Sequence, residues 1–103
     1  MRQIINGKLY STDSAVLKAY WDTEGYKSHE MADADFHEGG VTDDFVAQSL
    51  YRTKDGEYFL WITEMATNSS VLELMNQHCL MNWLNDQDYT DAEVARILEV
   101  EIA

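Results

Sequence analysis

Two turn sequences constrain the fold of this chain more than any other feature. Asn6-Gly7 joins the two halves of "QIINGKLY", and this pair favours a type I′ turn because both residues readily adopt positive φ angles. Lys54-Asp55-Gly56 separates "VAQSLYRT" from "EYFLWIT", in which β-branched and aromatic residues favour strands. The sequence therefore predicts two antiparallel β-hairpins.

The C-terminal third is predicted to be helical. In "NQHCLMNWLND" one helical face carries Cys79, Leu80, Trp83 and Leu84, so Cys79 is expected to be buried. Thr90 and Glu93 have the spacing of a capping box at the start of a second helix. The apolar stripe of that helix consists of Val94, Ile97, Leu98 and Ile102. These patterns predict an α+β fold, in which two C-terminal helices cover a small antiparallel sheet built from β-hairpins.

The remaining segments are less regular. "STDSAVLKAYWD" is compatible with a capped helix or with a strand from Val16 to Trp21. "SSVLEL" is expected to add a strand. The chain has 103 residues and no proline-rich linker or internal repeat, so residues 1–103 are expected to form one domain.

The charge balance restricts the possible partners. Nineteen acids oppose seven Lys and Arg residues, giving a net charge of -12. Such a surface repels phosphates and anionic lipids, so we expect a basic protein as partner and neither direct nucleic-acid binding nor membrane binding. The N-terminus lacks an apolar signal segment and Cys79 is the one cysteine, which favours a reducing, cytoplasmic setting. No motif indicates a cofactor.

The acids are concentrated in two zones, which could imitate the phosphate charges of a nucleic acid. Eight acids between Asp22 and Asp44 face Lys27 alone, and six between Asp86 and Glu101 face Arg96. Aromatic residues among acids are suitable anchors for arginine-rich grooves. The predicted partner-binding residues are Trp21, Asp22, Glu24, Tyr26, Glu30, Asp33, Asp35, Glu38, Asp43 and Asp44. By contrast, Arg52 and Lys54 are expected to be solvated turn residues that protect a sheet edge.

The sequence favours a binding role over a catalytic one. "HEMADADFHE" offers imidazole and carboxylate groups that suit a divalent metal: His29, Glu30, Asp33, Asp35, His37 and Glu38. Its two histidines are eight residues apart, unlike the zinc-protease motif. His78 and Cys79 are adjacent, but neighbouring helical side chains point about 100° apart and would not readily form a nucleophile pair.

"INGKLY" and "SLYRTKDGEYFL" together resemble small acidic proteins carried by bacterial conjugative elements and phages. The resemblance covers about the first ten residues and Gln48 to Leu60, and it carries no catalytic residues. It implies a mobile-element setting, in which the chain would inhibit a basic nucleic-acid-handling protein of host defence, as an anti-CRISPR or anti-restriction protein. The alternatives are an accessory protein of element transfer and, third, a small metal-dependent enzyme using His29 to Glu38.

Overall fold

A computed structural model describes residues 1–23 and 45–103. Six strands are followed by two helices in these residues. The strands are β1 (Arg2–Ile5), β2 (Lys8–Ser11), β3 (Val16–Asp22), β4 (Val46–Arg52), β5 (Tyr58–Glu64) and β6 (Ser69–Met75), and the helices are α1 (Gln77–Asp86) and α2 (Asp91–Leu98). The predicted α+β fold is confirmed, with an antiparallel sheet and two C-terminal helices.

Strands β1 and β2 form the predicted first hairpin. Ile5 pairs with Lys8 across the two-residue turn, in which Asn6 has a φ of 52° and Gly7 a φ of 79°. These positive angles are those that a type I′ turn requires. The hairpin forms a two-stranded sheet of its own.

The main sheet contains four strands in the order β3-β4-β5-β6, which is also their order along the chain. All pairs are antiparallel, and β4 and β5 form the predicted second hairpin. "SSVLEL" lies in β6 as predicted, and Val16–Asp22 is a strand rather than a helix. The β3-β4 register shifts between Leu17 and Ala19, whereas the β5-β6 register is continuous over seven pairs.

Helices α1 and α2 cover one face of the main sheet. The buried residues of this core are Leu50, Leu60, Leu80, Trp83, Leu84 and Ile97. The indole Nε1 of Trp83 donates a hydrogen bond of 2.7 Å to Gln48 Oε1 on β4, which fixes α1 against the sheet while satisfying a buried polar group.

A second core lies on the opposite face, towards the β1-β2 hairpin. Its buried residues are Tyr10, Phe59 and Leu72. Phe59 stacks on Tyr51 with 5.3 Å between ring centroids and meets Tyr10 edge-on at 5.9 Å. Phe59 therefore links the small sheet to the large one.

Local capping explains where the helices begin. Asn76 Oδ1 accepts a hydrogen bond of 2.8 Å from the backbone N–H of Cys79 at the start of α1. At α2 both hydrogen bonds of the Thr90–Glu93 capping box are present, which confirms that prediction.

Two predictions about the helical stripes are wrong. Helix α2 ends at Leu98 because Glu99 adopts a left-handed φ of 57°, so Ile102 lies beyond the helix with 62% of its surface exposed. Cys79 is also exposed, because the core face of α1 is formed by Leu80, Trp83 and Leu84. Cys79 lies beside this face in the first turn.

The prediction that Arg52 protects a sheet edge is also wrong. Arg52 ends β4, which lies between β3 and β5, and its Nη1 is 3.6 Å from Glu99 Oε2. Lys18 Nζ on β3 is 3.6 Å from the same oxygen. Glu99 thus connects the end of α2 to two strands, while Lys54 is exposed in the turn as expected.

Within residues 1–23 and 45–103, neither helix is long and apolar enough to cross a bilayer.

Candidate protein-binding surface

The predicted partner-binding residues fall mostly on a segment that the structure does not describe. Trp21 and Asp22 lie on β3, whereas the other eight, from Glu24 to Asp44, lie outside the described residues. The possible metal-binding segment His29 to Glu38 lies outside them as well. For all of these positions the sequence-based interpretation stays a prediction.

Asp22 does not lie on a surface that a partner could reach. It is 0% exposed, and its Oδ2 accepts a hydrogen bond of 2.7 Å from the Tyr20 hydroxyl. The prediction that Asp22 contacts a partner is therefore corrected, because a fully buried carboxyl group is not open to a partner. Trp21 is half-buried and packs against the core beneath the helices, so part of its ring serves the core.

Three exposed acids lie close together along the chain at the junction between α1 and α2. These junction acids are Asp86 at the end of α1, Asp88 in the connecting turn and Asp91 at the start of α2. All three are exposed, and none of the ion pairs within residues 1–23 and 45–103 involves them. Their charge is therefore available to a cationic partner.

Two of the other three acids of the second zone have structural roles, and the third, Glu101, is exposed near the C-terminus. Glu93 closes the capping box of α2, and Glu99 pairs with Lys18 and Arg52. The density of acids in the sequence thus overstates the charge that is open to a partner. Capping-box spacing would have identified Glu93 in advance, whereas the pairing of Glu99 depends on tertiary structure.

An apolar groove, which the sequence did not predict, lies where β6 leads into α1. Its volume is about 540 Å³, and its lining includes Tyr58, Leu74, Met75, Leu80, Leu98 and Val100. This volume falls in the range of ligand-binding clefts, about 300–1,000 Å³. The groove combines residues from β5, β6, both helices and the C-terminal tail, so no local pattern could have revealed it.

A polar cluster ties the β1-β2 hairpin to the β4-β5 turn. Glu57 accepts hydrogen bonds from Lys8 Nζ at 2.6 Å and from the Tyr10 hydroxyl at 2.5 Å. The hydrogen bonds from Lys8 and then Tyr10 lower the pKa of Glu57 below its ordinary value of 4.5. The hydrogen bond to Glu57 also raises the pKa of Lys8 and, together with burial, that of Tyr10.

This cluster predicts an acid-sensitive contribution to stability. Because the pKa of Glu57 is lowered in the folded state, its contribution is present above the unfolded value, near 4.5, and is lost as the pH falls through the folded value. Urea unfolding should therefore show the wild type more stable than Glu57→Gln at pH 7, with the difference shrinking below pH ~4.5. A difference that is the same at pH 3 and pH 7 would contradict this role of Glu57.

The possible nucleophile pair is not assembled. His78 and Cys79 are both exposed on α1, and His78 Nε2 lies 3.3 Å from Asn82 Nδ2, one turn further along the helix. No group of three or more His, Cys, Asp or Glu side chains suited to a metal ion occurs within the described part of the chain. The features of the described residues that could contact a partner are the junction acids and the apolar groove.

Comparison with models of protein families, with curated proteins and with solved structures found no match. The resemblance to acidic proteins of mobile elements stays a prediction from the sequence.

Proposed function

We propose that this protein is a non-enzymatic, acidic inhibitor from a phage or other mobile element. It binds a basic, nucleic-acid-handling protein of host defence and occupies the surface that would receive nucleic acid. An anti-CRISPR or anti-restriction role is the most specific form of this proposal. The observation that carries it is the set of junction acids, whose charges are exposed and take part in none of the ion pairs of the described residues.

Two further features support a binding role. The net charge of -12 gives the molecule a field that attracts cationic surfaces and accelerates their association. The backbone on both sides of the junction is anchored, because Trp83 on α1 is hydrogen-bonded to the sheet and α2 begins at a complete capping box. Less backbone ordering is then needed when a partner binds the junction.

A pull-down from bacterial lysate, with and without added DNA, tests the proposal. A protein that occupies a nucleic-acid site should capture a basic partner, and added duplex DNA should displace that partner. A captured partner that DNA leaves in place would contradict occupancy of the nucleic-acid site. Capture of transfer proteins of a conjugative element would favour the accessory role instead.

Charge reversal should locate the contact. Asp86→Lys with Asp88→Asn removes charge from the junction, and lysine suits the C-terminal end of α1 because of the helix dipole. Asparagine suits position 88, where φ is 58°, because it tolerates the left-handed region. We expect partner capture to fall about tenfold or more, with the fold retained by circular dichroism.

The matched control places the same change of net charge elsewhere. Asp13→Lys with Asp55→Asn alters two exposed acids far along the chain from the junction, and it should leave capture nearly unchanged. Reversing four acids between Asp33 and Asp44 provides the parallel test of the first acidic zone. Equal losses in the junction variant and its control would show that net charge, rather than the junction, determines binding.

Ionic strength should affect the complex strongly. Exposed charges are screened over a Debye length of about 8 Å at physiological salt and about 3 Å at 1 M. We therefore expect the affinity for the captured partner to fall steeply between low and high salt, chiefly through slower association. An affinity that does not change with salt would instead indicate an apolar interface.

A further inference from the structure

Strand β6 presents a regular edge. It pairs with β5 through seven consecutive residues without a shift in register, from Ser69 opposite Glu64 to Met75 opposite Tyr58, and within the described residues it has no strand on its other side. The backbone groups on such an edge can accept a further strand. By contrast, β3 has a register shift at Lys18, and irregularities of this kind discourage strand addition.

The side chains of β6 are largely open to contact. Val71 has 54% and Leu74 has 37% of its surface exposed, and Glu73 between them on the chain is exposed too. Successive residues point to opposite faces of the sheet. An added strand would therefore find an apolar neighbour on each face and a carboxylate near its centre.

The segments that carry this edge contain charges of one sign. Residues 55–95, which include β5, β6 and α1, contain eight Asp and Glu residues and no Lys or Arg. Glu64 and Glu73 are exposed on the two strands themselves. A segment that pairs with β6 therefore enters a negative field, which favours lysine and arginine side chains and opposes acidic ones.

The apolar groove continues from one end of the same edge. Leu74 and Met75, the last two residues of β6, belong to its lining together with Leu80, Leu98 and Val100. A strand lying along β6 would end beside the groove and could place one aliphatic or aromatic side chain in it. Backbone pairing supplemented by side-chain pockets is the usual form of strand addition.

From these features we infer that the β6 edge is a docking site for an extended, basic segment of a partner protein, which adds a fifth strand to the main sheet. Alternating basic and apolar residues would suit the segment, with a larger apolar residue at the groove. This inference rests on the proposed binding function and specifies how the partner would be held. A second copy of this chain is the less suitable occupant, because each copy carries a net charge of -12 and would bring Glu73 into the same field.

A peptide titration tests the inference directly. The probe is a fluorescently labelled peptide of about ten residues that alternates Lys and Val and ends in Leu, long enough to cover the seven residues of β6. The first comparison peptide has the same side chains but is N-methylated at two adjacent central residues, so that each of its edges loses one hydrogen-bond donor. The second replaces every Lys with Glu. Fluorescence anisotropy should show binding of the first peptide, binding about tenfold or more weaker for the methylated one, and none for the acidic one.

Variants of the protein provide the second arm. Val71→Lys with Glu73→Lys places cations along the edge and should weaken binding of the Lys–Val peptide about tenfold or more. The control, Gln3→Lys with Asp13→Lys, raises the net charge by the same amount at exposed positions outside β6 and should bind as the wild type does. Thermal unfolding of each variant confirms that it is folded.

Three results would overturn the inference: equal binding of methylated and unmethylated peptides, equal weakening by edge and control variants, or a dimer in sedimentation that the edge variant dissociates. The last would assign β6 to a second copy. None of these results would contradict the proposed function if the junction variant, Asp86→Lys with Asp88→Asn, captured less partner than the wild type. Conversely, peptide binding at β6 without any DNA-displaceable partner would uphold the edge and contradict the nucleic-acid mimic.

Discussion

Replacing Phe59 with alanine is expected to lower the free energy of unfolding by about 3–5 kcal/mol, the range for a fully buried aromatic residue. Phe59 is 0% exposed and contacts both Tyr51 and Tyr10. Its loss would leave a cavity between the two sheets and remove two aromatic contacts. Much of the stability of a domain of this size, typically about 5–15 kcal/mol, would disappear.

Urea unfolding monitored by circular dichroism measures this change. Val71→Ala is the matched control, because Val71 lies on the neighbouring strand with 54% of its surface exposed and should change stability by no more than about 0.5 kcal/mol. Phe59→Leu should fall between the two. If Phe59→Ala cost no more than Val71→Ala, the second core would contribute little to stability.

Replacing Asp22 with alanine is expected to lower stability by about 1–3 kcal/mol, because a buried hydroxyl loses its acceptor. The Tyr20 hydroxyl donates to Asp22 across 2.7 Å, and both residues are buried. The substitution should lower folding stability and leave partner binding unchanged. This expectation replaces the earlier assignment of Asp22 to the partner interface.

Two measurements separate these roles. Thermal unfolding should show the loss for Asp22→Ala and a smaller one for Asp22→Asn, whose amide oxygen still accepts a hydrogen bond. Partner capture at a temperature where both variants are folded should equal that of the wild type. A variant with unchanged stability but reduced capture would return Asp22 to the interface.

Local signals in the sequence predicted most of the elements correctly. The Asn6-Gly7 turn has the backbone angles that make the pair characteristic of a tight hairpin, and the Thr90–Glu93 box marks the start of α2. Both depend on interactions between residues two to four positions apart. Such interactions can be predicted from the sequence because the residues involved are close along the chain.

Tertiary contacts determined the features that could not be predicted. The sequence could not show that Glu99 would end α2 in a left-handed conformation and pair with cations on two strands. The sequence also suggested that Arg52 lies at a sheet edge. This was wrong because β4 pairs with β3 as well as with β5, and the order of strands is determined by tertiary structure. For the candidate site, the composition predicted an acidic surface. Which of the acids are accessible to a partner follows only from the burial of each side chain in the folded structure.

The order of strands in the main sheet has a consequence for how the chain folds. Strands β4, β5 and β6 pair with their immediate neighbours across short turns, so this meander can form early at a small cost in loop-closure entropy. Strand β3 must close a much longer stretch, residues 23–45, before it pairs with β4. We therefore expect β3 to join a preformed three-stranded meander.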